Sequence, residues 1–90
     1  MSITVEFFGI PRARAGVAQV EVLPDKRSAK FSEVLQALAD TLPDFADACM
    51  TDLELNQHCI ANIEGRKFVN GDAVIGEQQT VYILSADAGG

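Results

Sequence analysis

The segment Thr80-Val81-Tyr82-Ile83-Leu84 is rich in β-branched and aromatic residues and too apolar to tolerate an exposed sheet edge. It is nevertheless the last structured stretch of the chain, so any sheet that accommodates it must admit its final strand into the middle. Few small folds do this. The 90 residues allow one compact unit, and a unit of that size buries only roughly 60% of its unfolded surface, so most apolar side chains must serve the core.

The rest of the chain supplies neighbours for such a strand. Ile3, Val5 and Phe7 alternate with Thr4 and Glu6, the period-two pattern of a strand with one buried face. Gly9, Pro11 and Gly16 then punctuate what reads as a loop, and Ala18, Val20 and Val22 form a returning strand closed by Pro24 and Asp25. Phe31, Val34, Leu35, Leu38 and Leu42 fall on one stripe of a 3.6-residue period, predicting the main helix, capped by Ser28 or Ser32 and ended near Pro43. Phe45, Ala48 and Cys49 suggest a short second helix with Asp44 and Asp47 on its wet side. Cys59–Ile63, the Glu64-Gly65 turn and Lys67–Val69 read as a hairpin, and Asn70-Gly71 as the next reversal.

Two strands, a helix, short strands and a central final strand define an α+β fold of β-grasp (ubiquitin-like) architecture: a four- to five-stranded mixed sheet with one main helix on one face. A split βαβ sandwich is the alternative, but it needs two full helices. The expected division is a domain over 1–84 and a flexible C-terminal diglycine tail over 85–90, since Ser85-Ala86-Asp87-Ala88-Gly89-Gly90 contains no large side chain.

Thirteen acidic against seven basic residues give a net charge of −6, and the basic residues are scattered, which argues against nucleic acid and anionic membrane as partners. No apolar run approaches the roughly 20 residues of a membrane span, and no leader pattern opens the chain. Cys49 and Cys59 read as reduced, core-packed thiols of a cytoplasmic protein, and two cysteines cannot ligate a plant-type iron–sulfur cluster. His58 beside Cys59 lacks a third ligand, and the scattered Gly65, Gly71 and Gly76 lack phosphate-loop spacing. No bound cofactor, metal site or catalytic residue is expected.

The diglycine is the feature with chemistry. A carboxylate flanked by residues without Cβ can thread a narrow channel into another protein's active site. It is a poor electrophile, so it must first be activated, and adenylation by ATP supplies a leaving group. Phe8, if Phe7 faces the helix, shares the outer sheet face with Tyr82 or Leu84, an apolar patch suited to docking; Arg12 and Arg14 in the first loop are candidate rim contacts.

Over essentially its whole length the chain resembles the MoaD/ThiS group of ubiquitin-like sulfur carriers. The resemblance rests on I-T-V-E-F-F-G, the helix F-S-E-V-L-Q-A-L-A-D-T-L-P, the hairpin I-A-N-I-E-G-R-K-F-V and, most specifically, V-Y-I-L-S-A-D-A-G-G. It implies that Gly90 is adenylated by a ubiquitin-activating-type enzyme that uses ATP and is then converted to a thiocarboxylate that donates sulfur. Gly89, Ala88 and Asp87 would be the recognised tail. The opening F-F-G-x-x-R-x-R-A-G and the length are nearer the molybdopterin type, whose partner is the large subunit of molybdopterin synthase, than the thiamin type. The same tail serves thiamin, cysteine and tRNA-thiolation pathways, and in some lineages is joined to lysines of other proteins. The chain departs from the group at Lys30, where a threonine cap is common, and at Gly76-Glu77-Gln78-Gln79, where an acidic G-D-x-V turn is usual.

Overall fold

The computed structural model describes residues 2–24 and 26–86. Strand β1 (Ile3–Phe7) pairs antiparallel with β2 (Gln19–Val22) and parallel with β9 (Thr80–Ser85). On its other side β9 pairs antiparallel with β6 (Cys59–Ile63), which carries β7 (Lys67–Phe68) at the far edge. The order β2-β1-β9-β6-β7 puts the last strand at the centre, where its apolar composition requires it.

Helix α2 (Phe31–Thr41) lies across one face and buries Phe31, Val34, Leu35 and Leu38 against Ile3, Val5, Phe7, Val81 and Ile83. Helix α3 (Pro43–Cys49) adds Phe45 and Cys49 to the same core, with Pro43 in its first turn, where a missing N–H costs nothing. Asp44 and Asp47 are exposed, as the pattern predicted.

Neither Ser28 nor Ser32 caps α2. Ser28 belongs to β3 (Ser28–Lys30) and Ser32 lies inside the helix; the cap position is Lys30. Lysine has no acceptor to offer, so the free N–H groups of the first turn are satisfied otherwise. The Glu33 carboxylate accepts from Lys30 N–H at 2.8 Å, and the carbonyls of Ala73 and Gly71 accept from Phe31 and Ser32 at 2.8 and 3.1 Å. The loop after Asn70-Gly71 therefore caps the helix in place of a side chain. It continues into β8 (Val74–Gly76), which pairs with β3 and places Gly76 at a strand end.

The stretch read as a loop between Gly9 and Gly16 contains α1 (Ile10–Ala15). Pro11 and Gly16, taken as breakers, start and stop this helix. Proline is tolerated in the first turn, and Gly16 at φ 78° ends it with its N–H donating to the Arg12 carbonyl at 3.0 Å. A small hairpin, β4 (Met50–Thr51) and β5 (Glu54–Leu55), fills the connection from α3 to β6. Cys49 and Cys59 stand at its two ends as free, buried thiols.

Burial pushes the Cys59 thiol up to about 12, with hydrogen bonding and repulsion from Cys49 adding to the effect; burial also raises Cys49. Both are protonated at neutral pH. Because the folded value of Cys59 lies above its ordinary 9.0, its contribution to stability is complete below pH 9 and is lost as pH rises toward about 12. The urea midpoint should accordingly fall across that window, and less steeply in Cys59→Ala.

Candidate functional site: the exit of the central strand

β9 alternates strictly, with Val81, Ile83 and Ser85 buried and Thr80, Tyr82 and Leu84 half-buried on the face opposite the helices. Parallel register sets Glu6 beside Tyr82, and antiparallel register sets Ile60 beside Leu84 and Asn62 beside Tyr82. Phe8, just past the end of β1, is 45% exposed and meets Tyr82 edge-on, with ring centroids 5.5 Å apart at 78°. An edge-on aromatic pair left half open to solvent is a surface a partner can cover with little reordering. Phe8 and Tyr82 are thus brought together, and Leu84 lies farther along the same face of β9.

Arg12 and Arg14 are exposed on α1 rather than in a loop, and the structure separates them. Arg12 borders a shallow depression with Gly9, Gly16 and Val17, whereas Arg14 shares a groove with Asp44 and Asp47 of its own chain. Exposed Ile10 and Val17, which periodicity did not single out, add apolar surface beside Arg12. His58 is exposed and Cys59 buried, and among the described residues no three His, Cys, Asp or Glu side chains gather where they could hold a metal ion.

The end of β9 is held at two points. The Ile10 N–H donates to the Ser85 hydroxyl at 3.1 Å, and the Ala86 N–H donates to the His58 carbonyl at 2.8 Å. These two bonds tie Ser85 and Ala86 to the body of the fold. Gly9 makes the first contact possible. A Cβ built there would sit 2.9 Å from Ser85 Oγ, and its φ of 64° with ψ of −135° is a conformation that side chains resist. Gly9→Ala is expected to cost about 1–3 kcal/mol, read as a lowered urea midpoint; an unchanged midpoint would show that the contact yields freely. Gly89, Gly90, Ala88 and Asp87, the residues to which the sequence assigned the chemistry, lie outside the described residues.

A five-stranded mixed sheet, a helix across one face and a central C-terminal strand define the ubiquitin-like β-grasp fold. Solved structures agree. The chain is similar over 100% of both lengths to SAMP1 from Haloferax volcanii, with a TM-score of 0.84 and 21% identity. It is similar to the Haloferax volcanii HVO 2177 protein over 100% of this chain and 87% of that one, with a TM-score of 0.77 and 22% identity. A third likeness, covering 94% of this chain and 97% of the other with a TM-score of 0.76 and 15% identity, is to a Pyrococcus furiosus protein described as a candidate molybdopterin converting factor, subunit 1. No family model matches the sequence, and no curated protein matches it at a significant level. Among the described residues, no helix is long and apolar enough to cross a membrane.

Proposed function

We propose that the chain is a cytosolic sulfur carrier whose Gly90 carboxylate is the reacting group, and that it catalyses nothing itself. A carboxylate oxygen attacks the α-phosphorus of ATP in the active site of an adenylating enzyme, forming an acyl–phosphate bond and releasing pyrophosphate. Hydrosulfide from the sulfur donor then attacks the carbonyl carbon and AMP departs, leaving a thiocarboxylate; its sulfur attacks an electrophilic carbon of the acceptor, and water cleaves the acyl–sulfur bond to restore the Gly90 carboxylate. The observation that carries this reading is the placing of Gly89-Gly90 four residues or fewer past the anchored end of a central strand. In that place a rigid body can dock while the diglycine enters the partner.

The Phe8–Tyr82 pair and Leu84 form the docking face, and the net charge of −6 favours partners with basic surfaces. Among pathways, molybdopterin synthesis is supported by the F-F-G-x-x-R-x-R-A-G opening and by the likeness to the Pyrococcus furiosus protein; the acceptor would then be the large subunit of the synthase. A second reading, a modifier joined through Gly90 to target lysines, is supported by the full-length likeness to SAMP1, a small archaeal modifier protein by name.

Both are tested by incubating the protein with ATP, a sulfur donor and an adenylating enzyme from the same cells, followed by intact-mass analysis and fragmentation of the C-terminal peptide. The expected result is exchange of one terminal oxygen for sulfur at Gly90. A ladder of lysine isopeptides supports the modifier, and an unmodified Gly90 without such a ladder defeats both readings.

A further inference from the structure

Ser85 occupies a position where the alternation of β9 calls for an apolar residue. Val81 and Ile83 precede it on the inward face, yet the third inward side chain is a hydroxyl, 7% exposed and the one buried polar side chain among the described residues. A buried hydroxyl is tolerated when it is hydrogen-bonded, and here the partner is the first backbone N–H of α1, 75 residues away in sequence. Two glycine properties at position 9, the positive φ and the absent Cβ, hold α1 close enough for that bond. One residue later the Ala86 N–H is taken by the His58 carbonyl. Position 85 thus joins the end of the central strand to the element that follows β1, beside the outer-face aromatic Phe8.

We propose that Ser85 is a positioning residue that fixes the origin, and so the reach, of the reactive terminus. The proposal rests on the activated-Gly90 reading above and adds a length to it. With the chain anchored through Ala86, the four residues to Gly90 can span at most about 14 Å, against about 21 Å for the six-residue tail expected from sequence. A partner docked on the outer face must therefore open its adenylating pocket within about 14 Å of Ala86. A fixed origin also concentrates the carboxylate near that pocket, an advantage in turnover and not in docking.

Two variants test this in the full chain. Ser85→Ala deletes the acceptor, and insertion of one glycine after Ala86 lengthens the reach by about 3.5 Å without touching the anchor. Amide hydrogen exchange is measured on the free proteins, and kcat and KM for pyrophosphate release on mixing with the adenylating enzyme and ATP. In Ser85→Ala, exchange at Ile10 and Ala86 should accelerate about tenfold or more while Val5 and Ile83 stay protected, and kcat should fall about tenfold with KM within about twofold. The insertion keeps the carboxylate within reach of the same pocket, so it should leave kcat within about twofold and exchange at Ile10 and Ala86 as in the parent, which assigns the loss in Ser85→Ala to the anchor. Parental kcat in Ser85→Ala, or parental exchange at Ile10 and Ala86 in that variant, overturns the proposal. If the parent protein itself releases no pyrophosphate, it is the activated-Gly90 reading that fails, and the exchange result still decides whether Ser85 holds the strand end.

Discussion

A chain ending at Gly89 is expected to form acyl-adenylate more than about a hundredfold more slowly than one ending at Gly90, with no change in its urea midpoint. The two halves of that expectation have separate causes. Removing one residue withdraws the carboxylate by about 3.5 Å, and in-line attack on a phosphorus atom does not tolerate displacements of even about 1 Å without large losses of rate. Stability should not follow, because the pairing of β9 with β1 and β6 and the bond from the Ala86 N–H to the His58 carbonyl all lie upstream of the deleted residue. Gly89→Val is the companion experiment: it restores length but adds a branched Cβ where the carboxylate must pass between narrow walls, so it should resemble the truncation in rate and the parent in KM. The measurement is pyrophosphate release under ATP saturation, beside equilibrium unfolding of the same samples. Truncated protein activated at the parental rate would show that the reacting group is elsewhere.

The parts of this molecule visible from sequence are those written in a period. The stripe Phe31, Val34, Leu35, Leu38 yields α2 because burial on one face repeats every 3.6 residues, and the alternation in β1 and β9 yields strands for the same reason with period two. Composition added topology, since T-V-Y-I-L could only be central. Segments of two or three residues hold no period, so β3, β4, β5 and β8 went unseen, and with them the loop that caps α2 through Ala73 and Gly71. Around α1 the local signals were present but ambiguous, because Pro11 and Gly16 mark a loop or the two ends of a one-and-a-half-turn helix equally well. The Ile10–Ser85 hydrogen bond was beyond reach altogether. It joins positions 75 apart, and the single hint was a serine in the inward phase of an apolar strand. The diglycine is a different case: the sequence alone assigns chemistry to it, and it lies outside the described residues.

Phe45→Ala should bring the protein to the margin of unfolding. Phe45 is fully buried, and its ring meets that of Phe7 at 5.1 Å between centroids and 57° between planes, so its loss combines a cavity in the core with a broken aromatic pair. Phenylalanine-to-alanine changes in cores cost about 3–5 kcal/mol, whereas a native domain has only about 5–15 kcal/mol in total. The host element makes relaxation harder. With seven residues α3 is far below the length at which a helix is stable alone, and it is held in place by inserting Phe45 and Cys49 between α1, α2 and the sheet. Loosening it also frees Phe7, the last residue of β1, and through Gly9 and Ile10 the anchor at Ser85. Phe8, one residue away, provides the contrast. It faces the other way and is half exposed, so Phe8→Ala should cost about 1 kcal/mol or less of stability while weakening the docking of any partner that covers Tyr82. Urea unfolding followed by far-UV circular dichroism compares the two, the chain having no tryptophan to report by fluorescence. A Phe45→Ala protein as stable as Phe8→Ala would mean that α3 is not part of the cooperative core.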